Sequence, residues 1–300
     1  MKTFLISVKR NTKLFFKDKG LFFTSLITPL ILLVLYATFL SNVYKNSFQS
    51  VFGSFNLQID EKILNGLVGG QLMSSLLAVC CVTVSFCSNM LMVQDKISGA
   101  NSDMLITPVK RSTLAFSYYI STTISTLIIC FIALTASMIY VGIIGWYLSF
   151  LDVILLLLDV ILLVTFGTAL SSVINFFLSS QGQISAVGSI VSSCYGFICG
   201  AYMPLYSFGE GLRSVIMFLP GTYGTALLRN HALGGVMEEL LSSGMPEAAV
   251  TGLKDSIDCN LYFFGTRVEV WVMYLITIAT IALLITAYVL INIFCKRKKK

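Results

Sequence analysis

Charge is scarce in this chain. Of 300 residues, 20 are Lys or Arg and 14 are Asp or Glu, 11% in all, against a hydrophobic share of 56%. So few charges do not cover a water-soluble globule, which excludes that class. Histidine is scarcer still, with His231 alone. There is no GxxxxGKS/T phosphate loop, no HExxH, no GxSxG and no paired His/Cys set. Catalysis by the chain itself is therefore not expected, and no cofactor or metal is expected on it. None of the 8 cysteines forms a CxxC pair. Cys80, Cys81, Cys87, Cys130, Cys194 and Cys199 fall in apolar runs, where a thiol behaves as a small hydrophobe. No internal repeat is visible, so the chain reads as a single domain over 1–300.

What is present is long apolar sequence. Leu21–Leu40, Leu67–Val93, Ser112–Leu151, Val160–Gly209 and Val270–Phe294 contain no Asp, Glu, Lys or Arg. A bilayer core takes roughly 20 apolar residues per helix. The third and fourth runs are too long for one helix each, and dividing them gives six predicted spans. These are Leu21–Leu40, Leu67–Val93, Ser112–Gly145, Asp152–Phe177, Ile184–Met203 and Val270–Phe294. The fold class expected is thus an all-α polytopic membrane protein.

Basic residues cluster at Lys2–Lys19, at Lys96, Lys110 and Arg111, and at Lys296–Lys300. Nine of the fourteen carboxylates fall in two other stretches, 41–66 and 204–269. That asymmetry places both termini and the loop 94–111 in the cytoplasm of a plasma membrane. It also turns the +6 net charge toward lipid headgroups, with no nucleic-acid partner expected. Met1–Lys19 reads as an amphipathic interfacial helix, with Phe4, Val8, Thr12 and Phe15 on one face; a plain basic retention signal is the other reading. No cleavable leader is expected. Ser41–Gly66 reads as a polar external loop. Pro29 is a candidate kink, and Asp152 a candidate helix cap.

Within the external segment 204–268, the uncharged piece Ser214–Leu228 carries Pro220, Gly221 and Gly224. It is too short and broken to span, so a re-entrant hairpin is expected. Gly234–Phe264 reads as lying in water, with His231 external and unpartnered, and Arg229 ends the hairpin at the outer headgroups.

Two local patterns carry a family resemblance. One is Gln94–Val109, where Gly99 and Pro108 stand nine residues apart, with Ala100 and Asp103 as local departures. The other is Met203-Pro204-Leu205, Phe218-Leu219-Pro220-Gly221-Thr222-Tyr223, Leu227-Leu228-Arg229 and Gly234-Gly235. Together, in these topological places, the chain resembles the permease subunits of ABC-2 type exporters.

The resemblance implies a dimer, homo- or heteromeric, that binds two copies of a separate ATPase, with ATP and Mg held on that partner. It implies a coupling helix after the second span, with Asp95, Lys96, Gly99, Asp103, Met104, Leu105 and Pro108 as coupling residues; a solvated connector is the alternative. Candidates for the substrate path or gate are Asp159, Gly196, Gly200, Pro220, Tyr223 and Arg229. Asp159 is the one carboxylate deep in a span, with no cation in another span to meet it. It is read either as a substrate or gating group, or as a structural acid. Gly196/Gly200 and Gly188/Ser192 have small-xxx-small spacing, which suits a subunit contact. Gln71, Asn89 and Asn175 are expected to join helices. The cargo implied is an amphiphilic drug, antibiotic peptide or lipid-linked molecule. A polysaccharide or lipid is the alternative cargo, and a non-transporting sensor or immunity component the alternative function.

Overall fold

The computed structural model describes residues 2–54, 59–107 and 109–294. It begins with α1 (Lys2–Lys17), which buries Val8, Asn11 and Phe15 on one face. Asp18 caps the next helix by accepting from the Leu21 amide at 3.1 Å. That helix, α2 (Lys19–Leu35), contains Pro29 and passes into a π-helical turn, Tyr36–Leu40, and then α3 (Ser41–Ser54). The polar loop expected at Ser41–Gly66 is therefore largely helical. Tyr44, Phe48 and Phe52 are buried, and their spacing of four forms a stripe along α3. The polar residues between them mask it.

Asp60 opens α4 (Glu61–Ser88) by accepting from the Lys62 amide. A break at Asn89 leads into α5 (Met90–Ile97) and α6 (Ala100–Ile106). α4 is the axle of the molecule: it is buried without interruption from Gly66 to Phe86. Around it pack α2, α7 (Arg111–Ile144), α8 (Phe150–Phe177), α9 (Gln181–Ile198) and a later helix, α11. Ser149 and Asp152 close a reciprocal capping box at the start of α8, which satisfies two otherwise orphaned amides. Asp152 is thus the third residue of the cap rather than the cap itself.

After α9 come a 3₁₀ turn at Leu205–Ser207, α10 (Glu210–Ile216), α11 (Pro220–Ser242) and α12 (Glu247–Ser256). Strands β1 (Leu261–Phe263) and β2 (Thr266–Val268) pair antiparallel, Leu261 opposite Val268, before α13 (Val270–Phe294). Sequence reading of α11 needs correction. Pro220 occupies its first turn, where a missing N–H is harmless, so it starts a helix instead of breaking one. The helix then runs through Gly234 and Gly235 with Val236, Met237 and Leu240 buried and Glu238 and Glu239 exposed. Its glycines mark close approaches. A Cβ at Gly224 would collide with the Leu163 side chain, and one at Gly235 with the Tyr147 carbonyl.

Among the described residues five helices are long and apolar enough to cross a bilayer: Lys19–Ser50, Glu61–Ile97, Arg111–Ile144, Phe150–Phe177 and Val270–Phe294. α9, at 18 residues with two glutamines and four serines, is not among them. Outward faces such as Phe23, Ile27 and Ile31 on α2, Ile128 and Ile132 on α7, and Leu275, Ile278 and Leu283 on α13 stay exposed. An apolar belt of that extent needs lipid, so the chain is a multi-pass membrane protein.

Candidate functional site

Functional side chains gather at three levels. At the first, α1, α5 and α7 meet. Arg10 grips Asp95 through both guanidinium nitrogens, Nη1 to Oδ2 at 2.6 Å and Nη2 to Oδ1 at 3.3 Å. The Tyr118 hydroxyl donates to the same Oδ2 at 2.5 Å. The carboxylate raises the Arg10 guanidinium pKa through that hydrogen bond, against a smaller opposing effect of burial. Next to it, Lys96 Nζ donates to the Asn175 and Phe176 carbonyls at 2.9 and 2.8 Å. A cation there complements the negative end of α8. Asp95 and Lys96 therefore hold α5 to three other elements and are turned inward.

The surface that remains outward is α6, which buries none of its residues. Asp103 and Leu105 are exposed, Ile106 is 84% exposed, and Met104 is half-buried. Gly99 links α5 to α6 with φ +85, a left-handed turn that glycine adopts without Cβ strain. Pro108 lies outside the described residues.

The second level is within the helical core. Asp159, 1% exposed, stands about 14 Å along α8 at 1.5 Å per residue. Its Oδ2 lies 2.6 Å from His231 Nδ1 on α11, and its Oδ1 accepts from the Tyr274 hydroxyl of α13 at 2.5 Å. The carboxylate expected to be unmatched and the histidine expected to be external and alone are each other's partner. The sequence reading cut the hairpin at Leu228, so His231 was never placed on a helix facing α8. A neighbouring polar cluster also joins helices. Asn89 Nδ2 donates to the Ser171 and Ser172 hydroxyls at 3.0 and 3.1 Å. Gln71 and the Asn175 amide nitrogen, expected in the same role, are buried without side-chain partners.

The third level lies where α9 ends. The Ala201 amide bonds the Gly196 carbonyl and the Gly200 amide bonds that of Phe197, with Gly200 at φ +73. This is a Schellman termination. A Cβ at Gly196 would strike the Tyr202 ring. Both glycines thus serve contacts within this chain. Arg229, 1% exposed and not at any surface, donates to the Gly200 carbonyl and reaches Asp258 Oδ2 at 3.2 Å. The Leu205 amide also donates to Asp258 Oδ2, at 2.7 Å. Burial pushes the Asp258 carboxyl above its ordinary range, partly offset by Arg229 and the Leu205 amide. Tyr223 anchors the α10–α11 turn by donating to the Met217 carbonyl at 2.7 Å.

Between α2 and α9 runs a groove of about 650 Å³, lined by Asp18, Thr24, Ser185, Ser189, Ser192 and Ser193 among others. It is the one polar face that α9 presents outward. Among the described residues no cluster of His, Cys, Asp and Glu would hold a metal ion.

The family model described as ABC-2 type transporter matches residues 2–232. A comparison with curated proteins finds no match.

Proposed function

The chain belongs to the ABC-2 type transporter family, and from that premise we propose that it is the membrane-spanning permease subunit of an ATP-driven exporter. Two such permeases, identical or paralogous, stand over two copies of a separate ATPase that carries ATP and Mg. Both termini lie in the cytoplasm of a plasma membrane, and α9 is the sixth crossing. Its two glutamines and four serines suit a helix that faces a second subunit and a polar path.

The observation that carries this reading is the build of the loop 94–111. α6 buries none of its residues fully and leaves Asp103, Leu105 and Ile106 outward, whereas α5 is fixed by Arg10, Tyr118 and the end of α8. A short exposed helix on a rigid root transmits a push from a motor to the spans behind it. The serine-lined groove between α2 and α9 is half of a path that two copies complete. Its polar floor beside apolar walls suits an amphiphilic drug, antibiotic peptide or lipid-linked cargo.

Co-purification tests the reading. The wild-type chain brings down a nucleotide-binding subunit encoded with it, and Asp103→Lys or Leu105→Glu releases that subunit while the permease stays folded. If both variants retain the subunit and export normally, α6 is not the docking element. If no ATPase accompanies the wild-type chain, the sensor or scaffold reading takes over.

A further inference from the structure

A second cavity, of about 380 Å³, lies on the side of the molecule opposite α6, between α10, the 3₁₀ turn and the stretch around the β-hairpin. Its lining includes Arg213, Asp255 and Asp258 together with Tyr206, Tyr262 and Phe264. Asp258 is 5% exposed. Its Oδ2 is held by Arg229 and the Leu205 amide, while its Oδ1 accepts no hydrogen bond among the described residues. Arg213 forms no ion pair among the described residues, although its charge is felt at Asp258. Asp255 accepts from Asn260 and from Tyr262 through Oδ1 alone. The cavity thus keeps one arginine fork and two carboxylate oxygens uncommitted.

The charges identify a ligand class. The lining sets Arg213 against Asp255 and Asp258, with Arg229 paired behind Asp258, so a simple anion or a simple cation meets only part of it. A head bearing both signs matches it. A phosphate fits the planar fork of Arg213. An ammonium fits over the faces of Tyr206, Tyr262 and Phe264 and against the free carboxylate oxygens. Beside the mouth, Leu212, Val215 and Phe218 form an exposed apolar strip on and after α10, a seat for hydrocarbon.

We propose that this cavity binds the phosphate–ammonium head of a zwitterionic amphiphile presented from the outer leaflet. The site uses residues of this chain alone, so it requires the external placement of 204–268 but not ATPase docking. Failure of one reading therefore leaves the other standing.

The test is lipid retention by the purified full-length permease in nanodiscs, read by native mass spectrometry, without any ATPase. Phosphatidylethanolamine is retained at least fivefold over phosphatidylglycerol. Arg213→Gln, an exposed position without an ion pair, abolishes the preference while circular dichroism stays unchanged. Glycerophosphoethanolamine, the same head without chains, is titrated in parallel. Weak competition assigns the ligand to the leaflet; competition as strong as that of the intact lipid overturns the leaflet source. Equal retention of both lipids, or an unchanged preference in Arg213→Gln, overturns the proposal altogether.

Discussion

At the scale of single residues, the chain concentrates its risk in two buried polar knots. Asp159 holds His231 and Tyr274, so replacing it with leucine strands two donors. Each buried, unsatisfied donor costs about 1–3 kcal/mol. Asp159→Leu should therefore lower the melting temperature in detergent clearly, and Asp159→Asn much less. Transport separates structure from gating: Asp159→Asn that melts normally but fails to export assigns the carboxylate a part in movement, whereas normal export of every cargo leaves it a scaffold residue.

The Arg229–Asp258 pair behaves differently. Arg229→Met leaves a buried carboxylate with no cation, at about 3–5 kcal/mol. Asp258 already has its folded pKa raised by burial, and losing Arg229 raises it further. A carboxyl whose folded pKa lies above the unfolded one favours folding below the unfolded value and loses that benefit as pH rises through the folded one. The deficit of Arg229→Met relative to wild type should be small near pH 4 and grow toward neutrality. Unfolding curves across that range check the sign. A deficit that shrinks as pH rises contradicts it.

At the scale of elements, the loop 94–111, proposed to couple to an ATPase, offers the cleanest experiment. Gly99 has open space around it but φ +85, so Gly99→Ala meets no neighbour and strains only the backbone, by roughly 1–2 kcal/mol. If the turn between α5 and α6 transmits motion, this variant should keep its ATPase bound yet hydrolyse ATP with reduced export. Unaltered export per ATP would show that the turn is passive.

The same elements explain what sequence could reveal. Span two, span three, span four, the last span and the amphipathic α1 were all legible because length and hydropathy act locally. α3 was not, because Tyr44, Phe48 and Phe52 are spread among polar neighbours. α11 was misread because Pro220, Gly221 and Gly224, which look like breakers, open the helix and give Tyr195 and Leu163 room to press close. Asp95 was legible as important but not as buried, since its partner Arg10 lies 85 positions away. His231 and Asp159, 72 positions apart, illustrate the same limit: spacing along one chain carries no signal for a pair created by tertiary packing.

At the scale of the whole molecule, the arrangement is a ring of helices around a single central one. Its exposed faces are apolar on α2, α7, α8 and α13 and comparatively polar on α9. α4 alone is enclosed, hidden on every side from Gly66 to Phe86. A helix so sheathed meets neither fatty chains nor another protomer. A carbene reagent dissolved in the bilayer should accordingly tag peptides from α2, α7, α8 and α13 and leave Leu67–Val84 unmarked, although the helix that carries that stretch is itself long and apolar enough to cross.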